Sequence, residues 1–163
     1  MGNFKDLVQK RRSIRKFTDQ EVKAEDLQTI LRAALMSPTG KSVRAWHFVV
    51  VDDSALLEKM SLCRPMGSQF LAEAKVGIVV LGDREATDVW CEDASLAAVT
   101  MQYQAADLGL GSCWCQIRNR FMENGEPSYI MGKSGIETAR DVIIETKGLE
   151  LRIELHEHFE RSV

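Results

Sequence analysis

The run from Trp90 to Leu108 reads as one long helix, and it is rich in small residues: Ala94, Ala97, Ala98, Ala105 and Ala106. Side chains this small over such a length suggest close packing against another helix or a stretch of backbone. Gly109-Leu110-Gly111-Ser112 ends the helix, with Gly109 a natural left-handed residue just past the cap.

The remaining periodicities supply neighbours for it. Phe4 to Lys10 reads as a short helix, with Phe4, Leu7 and Val8 on one face. Ala24 to Met36 reads as an amphipathic helix through Leu27, Ile30, Leu31, Ala34 and Leu35, with Thr18 or Asp19 as its cap. Pro38 and Gly40 stop it. Trp46 to Val51 is a buried strand ended by Asp52-Asp53, and Asp53 or Ser54 caps a helix from about Ala55 to Leu62. Val76 to Gly82 is an apolar, β-branched core strand. Cys113 to Ile117, Asp141 to Glu145 and Leu149 to Leu155 also have strand character, and His156 to Arg161 is a polar tail. Helices alternating with short strands predict α+β or α/β architecture.

Composition bounds the rest. Hydrophobic residues at 45% and charged residues at 28% are ordinary for a globular chain, and 163 residues suit one core rather than two. A single domain over 1–163 is the expectation. A net charge of −3 argues against a general nucleic-acid binder. Met1 to Lys16 carry positive charge without an apolar core, and no run is long enough to span a bilayer, so the expectation is a cytoplasmic protein with reduced thiols and no membrane partner.

Three segments could carry chemistry. Arg11-Arg12-Ser13-x-Arg15 sets three guanidiniums and a hydroxyl close enough to hold a phosphate through charge-assisted bonds; the same cluster also reads as a solvated basic face. Ile14 and Phe17 would pin it to the body. The loop Ser37-Pro38-Thr39-Gly40-Lys41-Ser42-Val43-Arg44 could bring backbone and hydroxyls to a flat polar ligand, or be a plain connection. Its Gly40-Lys41-Ser42 is not a P-loop, since Leu35 stands where the first glycine belongs. Cys113 and Cys115 lack metal or redox spacing and read as buried, inert cysteines, so no metal site is expected. His47 reads as a satisfied structural histidine, and His156 and His158 as part of a solvated tail.

In this order and spacing the pieces resemble the nitroreductase family of flavin enzymes. The likeness rests on Arg11-Arg12-Ser13-x-Arg15-x-Phe17, on Ser37-Pro38-Thr39-Gly40 with Trp46-x-Phe48-Val49-Val50 behind it, and on the small-residue helix running into Gly109-Leu110-Gly111-Ser112-Cys113-Trp114. It covers about residues 3 to 126. The resemblance implies a nitroreductase-like α+β fold with a central, mostly antiparallel sheet flanked by helices, in a homodimer with FMN at the subunit interface. It implies NADH or NADPH as reductant, nitroaromatics, quinones or similar flat molecules as acceptors, and no catalytic side chain of the protein's own. Arg11, Arg12, Ser13 and Arg15 would hold the FMN phosphate and ribityl chain, with Arg15 nearer the pyrimidine edge. Pro38, Thr39, Gly40, Ser42 and Arg44 would come from the partner subunit. Cys115 and Gln116 would cover one ring face.

Two departures qualify the likeness. Ser42 stands where the family usually has Asn, and Arg44-Ala45 where it often has Gln-Pro, which implies looser ring-edge contacts or a preference shifted toward anions. From about Pro127 the chain does not follow the family's core strand and extended arm, so that Lys147, Arg152 or Arg161 would have to substitute for the cation the arm delivers. The alternative expectation is a non-catalytic flavin-binding or interaction protein on the same scaffold. A third is a basic module for phosphorylated partners.

Overall fold

The computed structural model describes residues 3–118, 120, 141–146 and 149–154. The elements are α1 (Phe4–Lys10), α2 (Ala24–Leu35), β1 (Trp46–Val51), α3 (Ser54–Ser61), β2 (Gly77–Gly82), α4 (Trp90–Asp107), β3 (Asp141–Thr146) and β4 (Leu149–Glu154). Each forms where the pattern places it, within a residue or two. The architecture is α+β.

β1 and β2 pair antiparallel, with Phe48 opposite Val80 and Val50 opposite Ile78 on one face, and Val49 opposite Val79 on the other. Period-two alternation turns these faces toward different helices. Trp46, Phe48, Val50, Ile78 and Val80 meet a cluster built from Ile30, Leu31 and Ala34 of α2 and Ala97, Met101 and Ala105 of α4. Val49, Val51 and Val79 meet Leu57 of α3, which is 1% exposed. Ala34 and Ala97 are both fully buried within the first cluster, so the small side chains of α4 are where α2 closes on it. β3 and β4 form a separate antiparallel pair, from Asp141 opposite Glu154 to Thr146 opposite Leu149.

Local chemistry sets the element ends. Asp53 caps α3, its carboxylate accepting from Leu56 N at 2.8 Å. α4 ends in a Schellman turn: Leu110 N donates to Ala105 O at 2.8 Å and Gly109 N to Ala106 O at 3.2 Å. Gly109 takes φ 79 there, the left-handed conformation that this turn demands.

Four expectations change. Thr18 and Asp19 do not cap α2. Lys23 precedes it with no side-chain cap, while Asp19 pairs with Lys75 at 3.9 Å and Thr18 accepts from Gln20 N. The segment 113–117 is not a strand; one isolated parallel bridge, Ser112 to Ser13, precedes it, and within it the Gln116 carbonyl accepts from the Arg64 side chain. His47 is not a satisfied core histidine, since alternation turns it away from buried Trp46 and leaves it exposed. Cys113 and Cys115 are only half-buried. The polar tail, Lys147 and Arg161 lie outside the described residues, as does the Arg152 side chain.

Enlarging the α2–α4 seam tests its closeness. Ala97→Leu should lower unfolding free energy by about 1–3 kcal/mol through overpacking. A urea melt with an unchanged midpoint would show that the seam has room.

Candidate functional site

The basic segment is held at the C-terminal end of α4. Ser13 bridges Ser112, and Ile14 N donates to Ser112 O at 2.9 Å. Gly111 makes this approach possible: a Cβ there would lie 3.0 Å from Ile14 Cβ. Phe17 anchors the far end, its ring 6.4 Å from that of Phe70. The structure therefore joins the first and third sequence motifs into one surface.

Its electrostatics suit an anion. Arg12 and Arg15 are exposed and Arg11 half-buried. Among the described residues no carboxylate pairs with any of them. Arg11 Nη1 donates to Gln102 Oε1 at 3.5 Å, and Arg12 Nη1 donates to the Arg11 carbonyl at 2.8 Å. Guanidiniums with free donors beside a backbone cradle are a phosphate-binding arrangement. Cys113 lies against this surface; burial raises its pKa, opposed by the Arg15 charge and a hydrogen bond with Ser13.

The second motif stands apart. Among the described residues no hydrogen bond or ion pair joins the 37–44 loop to Arg11–Arg15. The loop is strained instead: Lys41, Ser42 and Arg44 take φ 53, 57 and 56, left-handed values that non-glycine residues adopt only when the surroundings impose them. Asp93 imposes them. Its Oδ1 accepts from Gly40 N at 2.9 Å, and the residue is 2% exposed. The first turn of α4, where Asp93 sits, favours its negative charge. Among the described residues its buried Oδ2 has no partner. Sequence motifs do not single out Asp93, yet Asp93, Ala97, Met101 and Ala105 follow helical spacing on one buried stripe, and an acid on such a stripe is the available signal.

The segment after Gly111 crosses to the loop following α3. Arg64 Nη1 donates to Gln116 O at 2.9 Å. The Gln116 side chain accepts from Trp114 Nε1 at 2.8 Å and donates to Arg118 O at 2.9 Å. Cys115 meets Cys63, a residue that spacing alone did not connect with it. The Cys115 hydrogen bond, with help from Ser68 and the Arg64 charge, holds the Cys63 thiol down at about 7 against its burial. That shared hydrogen bond and burial hold the Cys115 thiol well above the ordinary thiol range. A separate cleft of about 620 Å³ near Phe17, Asp52 and Lys75 is lined by Asp19, Glu21 and Glu73; it carries none of the expected site residues.

Comparison with known proteins places the chain among relatives of one family. The model of the nitroreductase family matches residues 8–63 and 63–130. The chain is similar to an FMN-dependent nitroreductase of Clostridium difficile, with 51% identity and a TM-score of 0.72 over 74% of this chain and 71% of that one. It is 36% identical over 118 residues to an Archaeoglobus fulgidus protein named "Putative NADH dehydrogenase/NAD(P)H nitroreductase", covering 70% of this chain and 67% of that one. It is 30% identical to the FMN reductase (NADPH) of Bacillus subtilis over 70% of this chain, but that match spans only 54% of the relative.

The loop anchor gives a direct test. Asp93→Ala removes the charged acceptor of Gly40 N–H and should lower stability by about 1.5–3 kcal/mol. Asp93→Asn keeps an acceptor and should lose less than half of that. Equal losses in chemical denaturation would mean that the bond does not hold the loop.

Proposed function

The chain belongs to the nitroreductase family and is an oxidoreductase, and from that premise we propose that it binds FMN between two copies of itself and carries reducing equivalents from NADH or NADPH to nitroaromatics, quinones or similar flat acceptors. The observation that carries this reading is the Ser13–Ser112 bridge, which sets Arg11, Arg12 and Arg15, unpaired with any carboxylate among the described residues, beside Gly111.

Bound FMN supplies the two-electron chemistry, which explains why no acid–base pair or nucleophile is needed from the chain. Arg11, Arg12 and Ser13 would bind the phosphate through charge-assisted bonds. Arg15 would hold positive charge at the pyrimidine edge, where reduced flavin is anionic. With the Gln116 side chain engaged on both sides, the 115–116 segment would act through its backbone. The loop carrying Pro38, Thr39, Gly40, Ser42 and Arg44 would serve the site of the other copy. Its separation from Arg11–Arg15 within one protomer supports that division. So do the apolar side chains left open beside each part: Met36 is 78% exposed and Trp114 43%. Ser42 and Arg44, held in strained conformations, would meet the ring edge with a short hydroxyl donor and an extra charge.

The purified chain mixed with FMN should be yellow and dimeric and should oxidise NADH or NADPH when a quinone is supplied. A colourless protein after FMN addition, with no oxidation of either nucleotide, would refute the reading. Tight FMN binding with no turnover would favour the non-catalytic alternative. Arg11→Ala should weaken FMN binding by roughly ten- to a hundred-fold, matching the 1.5–3 kcal/mol of a hydrogen bond to a charged group. Fluorescence titration giving wild-type affinity would place the phosphate elsewhere.

A further inference from the structure

Two cysteines far apart in the sequence come together at the junction between the 113–118 segment and the loop after α3. Cys63, 6% exposed, follows α3 in that loop, and the Cys63 and Cys115 thiols are near enough to act on one another's ionisation. The junction is fastened on both sides of the pair. Arg64 Nη1 donates to Gln116 O at 2.9 Å, and Cys115 Sγ lies 3.8 Å from Gly67 O. Ser68, wholly buried, closes the loop from within, donating to Ser61 O at 2.7 Å. The other cysteines stand apart from this pair: Cys91 lies on α4, and Cys113 lies against Ser13 and Arg15.

We propose that Cys63 and Cys115 form a peroxide-oxidisable dithiol, a modification site whose disulfide fastens the 113–118 segment covalently to the loop after α3. The Cys63 thiolate attacks one oxygen of hydrogen peroxide; the O–O bond breaks, and the departing hydroxide takes a proton and leaves as water. Cys63 becomes a sulfenic acid. Cys115 sulfur then attacks Cys63 sulfur, the S–O bond breaks, and water leaves with the Cys115 proton. Two thiols and one peroxide give one disulfide and two waters, and a dithiol reductant reverses the change. The Arg64 charge beside both sulfurs favours the attacking thiolate. Near-complete burial of Cys63 selects a small oxidant over a bulky disulfide reagent. The inference needs no flavin, so it stands or falls separately from the proposed activity.

The test is thiol counting and peptide mapping on the full chain, with FMN present, before and after hydrogen peroxide. The wild type should lose about two of its four thiols per chain, recover them with dithiothreitol, and yield a Cys63–Cys115 linked peptide, with fragment ions separating Cys115 from Cys113. Cys63→Ser should abolish the linked peptide. Cys115→Ser should leave Cys63 as a sulfenic acid that dimedone traps. Retention of all four thiols, or a linkage confined to another pair or to different chains, would overturn the proposal. The wild-type map decides the matter even if either variant fails to fold. A chain that fails to bind FMN yet forms this linkage would end the flavin reading and leave the dithiol in place.

Discussion

The closeness of α4 to its neighbours governs the rest of the molecule. Ala97, Met101 and Ala105 meet Ile30, Leu31 and Ala34 of α2 and Trp46 of β1 in one buried cluster. Small side chains allow that approach, and dense interiors tolerate little change in it. Once α4 is fixed, both of its ends are fixed. Its first turn carries Asp93 to the 37–44 loop, and its Schellman turn sends Leu110 and Gly111 toward Ser13.

The two ends present different physics. At the C-terminal end, guanidiniums lie beside a glycine-backed bridge and, among the described residues, pair with no carboxylate, an arrangement whose charge suits an anion. At the N-terminal end, one buried carboxylate steadies a loop whose residues take left-handed backbone angles. Strain of that kind persists only where the surroundings hold it, and the Asp93 carboxylate fixes the loop's entry at Gly40.

Much of the fold was legible because its signals are local. Periodicity placed α2, β1, β2 and α4 within a residue or two, Asp53 marked the start of α3, and Gly109 marked the end of α4. Signals failed where a group had competing partners. Thr18 and Asp19 have capping chemistry, but Asp19 meets Lys75 instead. Cys113 to Ile117 has strand composition, but Arg64 claims a carbonyl there. Of the site, motif order identified the basic segment and the 37–44 loop as functional candidates. It gave no sign of Asp93 as an anchor or of Cys63 beside Cys115, because each gains its role from a residue remote in the chain.

By itself, the sequence determined where most helices and strands lie, which of their faces are apolar and which short runs concentrate guanidiniums, glycines and hydroxyls, because these follow from side-chain type and spacing over a few residues. Only the tertiary structure decided which runs meet. It joined Ser13 to Ser112, tied Gly40 to Asp93 and brought Cys63 to Cys115. Such pairings depend on how closely α2, α4 and the β1–β2 sheet pack, and no local pattern encodes that distance.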